Sequence, residues 1–272
     1  MKLFLLVAAA LLPAGAWAED LPQPKFSPGD SWVYREKAQQ GDKTNESEVS
    51  VTVVRADGDD LLVSTKPVGS AGPAKQRMYH SDWSQFRGVN GVETVVYRPL
   101  AFPLAAGKTW KIEFTEMNPS PTHAREQFDI PFKVVGWEDV ETPAGKFKAL
   151  KIEAKGTWVA DVMQAVRTNS TVAAGGGVVA QSAQNVVQGA RRFEGRVYHA
   201  IWYAPEVKRW VKSLDETYSS NGDVTGTQES LLLTYTAAAA AAAPSPTPAA
   251  VTPTPTPAAP TPSPASVAPA KP

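Results

Sequence analysis

Apolar and polar residues alternate one for one through most of this chain, and the longest such run is Phe132 to Trp158. Leu150, Ile152, Ala154, Gly156 and Trp158 fall on one side of the run, and Lys151, Glu153, Lys155 and Thr157 on the other. A period of two marks a strand with one buried and one wet face. Upstream, Phe128, Ile130, Phe132 and Val134 repeat the pattern, and Thr142-Pro143-Ala144-Gly145 supplies a turn between the two arms. Proline presets the second turn position there, and glycine accepts the left-handed geometry that closes it. The whole reads as a long β-hairpin.

Shorter segments carry the same signal. Val49, Val51 and Val53 alternate with Ser50 and Thr52, and Asp57-Gly58-Asp59-Asp60 turns the chain into Leu61 to Thr65. Gln76 to Tyr79 and Glu93 to Tyr97 read as short strands around the turn-like Val89-Asn90-Gly91. Trp110, Ile112 and Phe114 alternate with Lys111, Glu113 and Thr115. Gly195 to Tyr203, Lys208 to Tyr218 and Val224 to Tyr235 follow, joined at Ala204 to Val207 and at Asn221-Gly222. Gly29-Asp30-Ser31-Trp32 and Gly107-Lys108-Thr109-Trp110 repeat one order of glycine, charge, hydroxyl and tryptophan, a device for opening a strand. No amphipathic helix separates these segments, and short connections require antiparallel pairing. The expectation is a mainly β fold of about nine or ten strands. Between Val159 and Ala190 the side chains become small, with Gly175-Gly176-Gly177 in the middle. That stretch reads as a flexible insertion, with hairpin extension, a pair of weak helices or a mobile flap as its open forms.

The two ends differ from this body. Residues 1–18 join Lys2, an apolar run from Leu3 to Leu12 and Ala16-Trp17-Ala18, the pattern of a secretory signal peptide cleaved after Ala18. Residues 237–272 are almost wholly alanine, proline, threonine and serine, a composition that cannot bury a core and predicts a disordered, polyproline-like tail. Residues 19–236 then form one antiparallel β domain. The chain has no cysteine, which excludes disulfides, thiolate metal sites and a cysteine-linked lipid anchor. Acidic and basic residues number 27 each, and Lys2 leaves with the leader, so the remainder carries a formal charge of −1. Near neutrality argues against nucleic acid as a partner.

Catalytic signals are sparse. His80, His123 and His199 show no metal-binding spacing, and no nucleophile-elbow or phosphate-loop motif occurs. The chain therefore reads as non-enzymatic and without a cofactor. Tryptophan is the conspicuous residue, with seven of eight lying beyond the leader. Most suit a core, where each large apolar side chain contributes about 1.5–3 kcal/mol. Trp137 and Trp202, however, alternate onto the polar faces of their strands, so that face is either covered or binds something.

The phrases TPAGKFKALKIE, from Thr142, and WYAPEVKRWVK, from Trp202, resemble the TPAGxFxALKI and WYAPxVxxxVK phrases of exported Gram-negative proteins of unknown function. Those domains are similar to the periplasmic lipoprotein-carrier (LolA/LolB-like) superfamily. The resemblance spans Phe26 to Tyr235 and implies a strongly curved antiparallel sheet, an open half-barrel, in a soluble periplasmic protein. It brings no catalytic residues.

An open half-barrel must fill its inner surface with its own side chains, a covering segment or a ligand. The expected trough is lined by Trp110, Ile112, Phe114, Ile152, Trp158 and Leu214, with 159–190 as a loose flap. The expected function is a binding module for a lipid, lipoprotein or other apolar or amphipathic partner. The alternative is a structural envelope protein, a folded head whose proline-rich spacer contacts cell wall or another protein.

Overall fold

The computed structural model describes residues 20–171 and 182–238, and within these the side chains of 164–188 are left aside. The leader and nearly all of the tail therefore lie outside the described residues. The strands are β1 (Ser31–Gln40), β2 (Lys43–Asp57), β3 (Asp60–Pro67), β4 (Lys75–His80), β5 (Gln85–Val89), β6 (Val92–Tyr97), β7 (Thr109–Ser120), β8 (His123–Thr142), β9 (Gly145–Thr171), β10 (Ser182–Ala204), β11 (Arg209–Ser219) and β12 (Val224–Thr236). A single 3₁₀ turn, Pro205–Val207, separates β10 from β11.

Ten of these strands make one antiparallel sheet in the order β4-β3-β2-β1-β12-β11-β10-β9-β8-β7. Every neighbour is a sequence neighbour except β1 and β12, which pair Trp32 with Tyr235 and Gln40 with Gly226. The sheet is curved and does not close into a barrel. Extra residues bend it: bulges interrupt pairing at Val33/Tyr34, Val134/Gly136 and Trp202/Tyr203, and a bulge kinks its strand and increases local twist.

The repeated strand-opening phrase has a matching structure at both sites. Gly29 (φ +100) and Gly107 (φ +83) hold left-handed geometry that any side chain would strain. The amide of Gly29 donates to the Val53 carbonyl and that of Val53 to the Asp30 carbonyl; Gly107, Val134 and Lys108 repeat both bonds at 2.9 Å. Each turn thus hooks the incoming chain to a strand before β1 or β7 begins.

Of the forms open to 159–190, the first is observed. β9 and β10 stay in register from Leu150↔Tyr203 out to Thr171↔Ser182, so the described part continues the hairpin arms. The inner face is covered by other residues. From Ser81 to Lys108 the chain leaves edge strand β4, forms the separate β5–β6 hairpin and returns irregularly to β7. Trp83, Val89, Leu100 and Leu104 of this segment are buried, as are Trp32, Phe132, Ile152 and Ile201 of the sheet. Trp83 meets Trp32 and Trp210, Tyr97 meets Phe132 and His199, and Phe102 meets Tyr203, ring centroids lying 5.5–6.4 Å apart. These partners come from β1, β8, β10 and β11, so the covering segment lies across one face of the sheet, and the core sits between them.

The β5–β6 hairpin also ties the two sheet edges. Arg77 of β4 donates to Gln85 of β5 at 3.1 Å, and Arg87 of β5 pairs with Glu116 of β7. At the hairpin turn the Asn90 carboxamide donates to the Thr115 carbonyl and accepts from the Met117 amide, both at 2.8 Å. A side chain thereby occupies edge positions that an adjacent strand would take.

Candidate functional site

The β1, β10, β11 and β12 strands meet the cover around a cavity of about 490 Å³ on the inner face. Alternation along each strand sends its lining inward: Tyr34 and Glu36 from β1, His199 and Ile201 from β10, Ser213 and Asp215 from β11, Gln228 and Ser230 from β12. Tyr79, Trp83, Gln85 and Tyr97 close it from β4 and the cover. The wall is mixed: the cover side is mostly aromatic, and the floor sets Glu36, Ser213, Asp215, Gln228 and Ser230 among Tyr34, Val51, Ile201 and Trp210.

Arg209 is the unusual member. Lys208, in left-handed geometry (φ 60), ends the 3₁₀ turn, and β11 then starts with Arg209 and Trp210. Both line the cavity, because a bulge opposite Tyr203 lets consecutive residues address it. The Arg209 guanidinium carbon stands 4.1 Å from the ring centre of Trp210, 4.2 Å from Trp83, 5.0 Å from Tyr34 and 5.6 Å from Trp32. It is 9 % exposed, makes no ion pair among the described residues, and its Nε and Nη1 have no hydrogen-bond partner there. Cation–π contact partly compensates the lost water. Burial pulls the guanidinium below its ordinary value, against the opposing influence of Tyr34, Tyr79 and Glu36. Burial likewise pushes the Tyr34 hydroxyl up to about 12, with Arg209 opposing, and raises the Glu36 carboxyl, again with Arg209 opposing.

Across the floor, His199 Nδ1 lies 2.5 Å from Asp215 Oδ1. The pair follows from the β10–β11 register, which places the two residues opposite each other. Phe132 stacks parallel to the imidazole at 6.3 Å, and Tyr97 approaches it edge-on. The Tyr97 hydroxyl is raised by burial and then by the Asp215 charge. Among the described residues no cluster of three or more His, Asp and Glu side chains is placed to hold a metal ion.

None of the six residues expected to line the trough borders this cavity. Trp110 stacks on Phe132 at 5.3 Å with its indole N–H on the Arg98 carbonyl, and Phe114 stacks on Phe128 at 5.0 Å. Ile112 and Ile152 are buried. These four pack together at the β7–β9 end, beneath the cover. Trp158 lies over Gly195 and lines a different depression with Arg191, Phe193 and Ser219. Leu214 pairs with Ala200, between the inward-facing Ser213 and Asp215, and so points to the outer face. The expected lining came from β7, β9 and β11, whereas this cavity is bordered chiefly from β1, β10, β11, β12 and the covering segment.

The polar-face tryptophans resolve in two ways. Trp202 stays on the outer face, where Lys151 and Lys212 lie 5.3 and 5.2 Å from its ring and its N–H donates to Glu138. Trp137 is re-phased by the Val134/Gly136 bulge to stand opposite Leu150, on the nominal face of Ile152. It remains 44 % exposed, with Lys148 6.0 Å above its ring. A lysine ammonium thus stands over each of the two rings.

No family model and no curated protein matches the sequence. Among solved structures, a "putative lipoprotein" of Parabacteroides distasonis aligns at 14 % identity over 79 % of this chain and 97 % of its own, with a TM-score of 0.39. A "putative exported protein with YmcC-like fold" from Bacteroides fragilis aligns at 13 % identity over 80 % and 99 %, with a TM-score of 0.35. Likeness of this degree bears on neither ligand nor activity.

Proposed function

We propose that this protein is a non-enzymatic binding module of the cell envelope, exported to the periplasm and holding a small amphipathic ligand in the roofed inner-face cavity. The observation that carries this reading is the cavity itself. Its volume of about 490 Å³ falls among ligand sites, which span roughly 300–1,000 Å³. Its walls set aromatic and aliphatic side chains beside polar and charged ones, a mixture suited to an amphipathic molecule. Titrating a fatty acid or lyso-lipid should quench or blue-shift tryptophan emission in a saturable manner, because Trp83 and Trp210 border the space. Ser213→Leu, which adds volume at the floor, should weaken that binding at least tenfold. Absence of saturable binding, together with a native mass spectrum of the bare chain from periplasmic extracts, would sink the proposal.

A structural role is favoured by a different observation: the cover fills much of the inner face with its own side chains, Trp83, Leu100 and Leu104 among them. On that reading the sheet is a folded head, and the proline-rich tail contacts cell wall or another protein. The titration separates the two.

A further inference from the structure

We infer that Arg209 is an anchor for one anionic group, a carboxylate or a phosphate, on the ligand of the inner-face cavity. The inference rests on the binding reading above and adds the charge of the ligand to it. An arginine side chain carries five N–H donors and stays protonated, so it is seldom buried without a carboxylate or carbonyls to receive them. Here two of its three nitrogens are buried without a partner among the described residues, although the side chain borders the cavity. Four aromatic rings surround the guanidinium, and of their residues only Tyr34, through its hydroxyl, receives a hydrogen bond from it. The guanidinium is therefore only partly satisfied, and an oxyanion entering from the cavity would supply the acceptor that its surroundings lack.

The neighbouring charges sharpen the inference. Glu36 borders the same cavity but forms no ion pair with Arg209, and Asp215 is engaged by His199 at 2.5 Å. An incoming anion thus competes with no existing salt bridge to the guanidinium. The apolar part of the ligand would lie toward Trp83, Tyr97 and Ile201, with its head at the Arg209 end. Ser213, Gln228 and Ser230 offer further polar contacts along the floor.

The test compares four probes sharing a ten-carbon chain, decanoate, decyl phosphate, decanol and decyltrimethylammonium, by tryptophan emission and calorimetry on the intact chain. A charge-assisted hydrogen bond contributes enough that decanoate or decyl phosphate should bind roughly 10- to 100-fold more tightly than decanol. Which of the two anions binds more tightly tells carboxylate from phosphate. Arg209→Met should erase that preference, so that decanoate, decyl phosphate and decanol bind alike, and Arg209→Lys should retain part of it. The wild-type comparison stands even where a variant fails to fold. Equal binding of all four probes would overturn the anchor and leave the cavity reading intact. Preference for the cation would also overturn it, assigning control of the site to Glu36 and Asp215. Binding of none of the probes, decanol included, would remove the cavity reading and the anchor together.

Discussion

At the scale of single residues, the most constrained polar group is Asp30. It has no exposed surface, yet its carboxylate receives Lys208 Nζ at 2.8 Å and the amides of Ser27 and Ala238 at 2.9 Å. Burial pushes this carboxyl up, but Lys208 and the two amides outweigh it and hold it below its ordinary value of 3.8. A carboxyl depressed by folding stabilises the fold above its unfolded value and loses that contribution as pH falls through the folded value. Asp30→Ala should cost about 3 kcal/mol at neutral pH, since it strands a partly buried ammonium and two amides. Denaturant melts of Asp30→Asn and wild type should converge as pH drops below 3.8; a gap independent of pH would show that the charge contributes nothing. The structure also explains why both family-like phrases contain the residues they do. Val207 offers its carbonyl to the Trp32 indole at 2.8 Å, Lys208 meets Asp30, and Arg209 enters the aromatic cluster. In the other phrase the Ala144 amide reaches the Leu232 carbonyl at 3.2 Å, docking the β8–β9 turn on β12. Both phrases are junctions of the fold.

At the scale of elements, two glycines with equal room separate strain from space. A Cβ at Gly107 or at Gly88 would meet nothing within 4 Å, but Gly107 alone has positive φ, at +83°. Gly107→Ala should therefore destabilise by about 1–2 kcal/mol, while Gly88→Ala in β5 should be neutral or slightly stabilising. Thermal melts of the pair check this, and equal losses would refute strain as the cause. Gly195 is confined differently: a Cβ there would stand 2.8 Å from Trp158 Nε1 and closer still to the Tyr218 carbonyl. The Asn90 clip gives a third outcome. Asn90→Gly keeps a residue suited to φ 51 but removes two hydrogen bonds, and should cost about 1–2 kcal/mol with faster amide exchange at Met117.

Such elements also show what the sequence could convey. Period-two alternation revealed the strands, and the Pro-Ala-Gly and Asn-Gly turns their hairpin partners, because both signals are local. Trp137 was misplaced because a bulge cancels the alternation on which its face was reckoned. The covering segment was legible only in part: Glu93 to Tyr97 and the Val89-Asn90-Gly91 turn gave its hairpin, but its place over the sheet is fixed by contacts with β1, β8, β10 and β11, all remote in sequence. Arg209 shares the parity of Ser213 and Asp215, so alternation places it on the inner face, but a basic residue ordinarily lies at the surface, and the bulge opposite Tyr203 is what brings Trp210 in beside it. His199–Asp215 was hidden by the same bulge: counting back from the β10–β11 turn sets His199 opposite Leu214, and the shift at Trp202/Tyr203 brings Asp215 there instead.

At the scale of the whole molecule, the order of strands divides the sheet into two meanders, β1–β4 and β7–β11, that share only β12 as a bridge. Ending the chain at Ser219 should therefore leave two ribbons joined only through the cover and the β10–β11 turn, and circular dichroism of that truncation should show a broader, less cooperative melt than the full chain. The same bridge sets a schedule. Trp32 waits for Tyr235, about 200 positions later, so a chain emerging N-terminus first can complete neither its core nor its inner cavity until its last strand arrives. Such pairing carries a large loop-closure cost and slows folding. For the exported protein proposed above, which would cross a membrane unfolded, delay is useful: the early meander alone holds Trp32 without Val207, Tyr235 or Trp83 fully assembled around it. A permutant that joins Ala238 to the segment before Gly29, beside which it already lies, and opens between β11 and β12 would turn the slowest contact into a hairpin. It should refold faster in stopped-flow fluorescence, and in a cell should be exported less well than the natural order of strands.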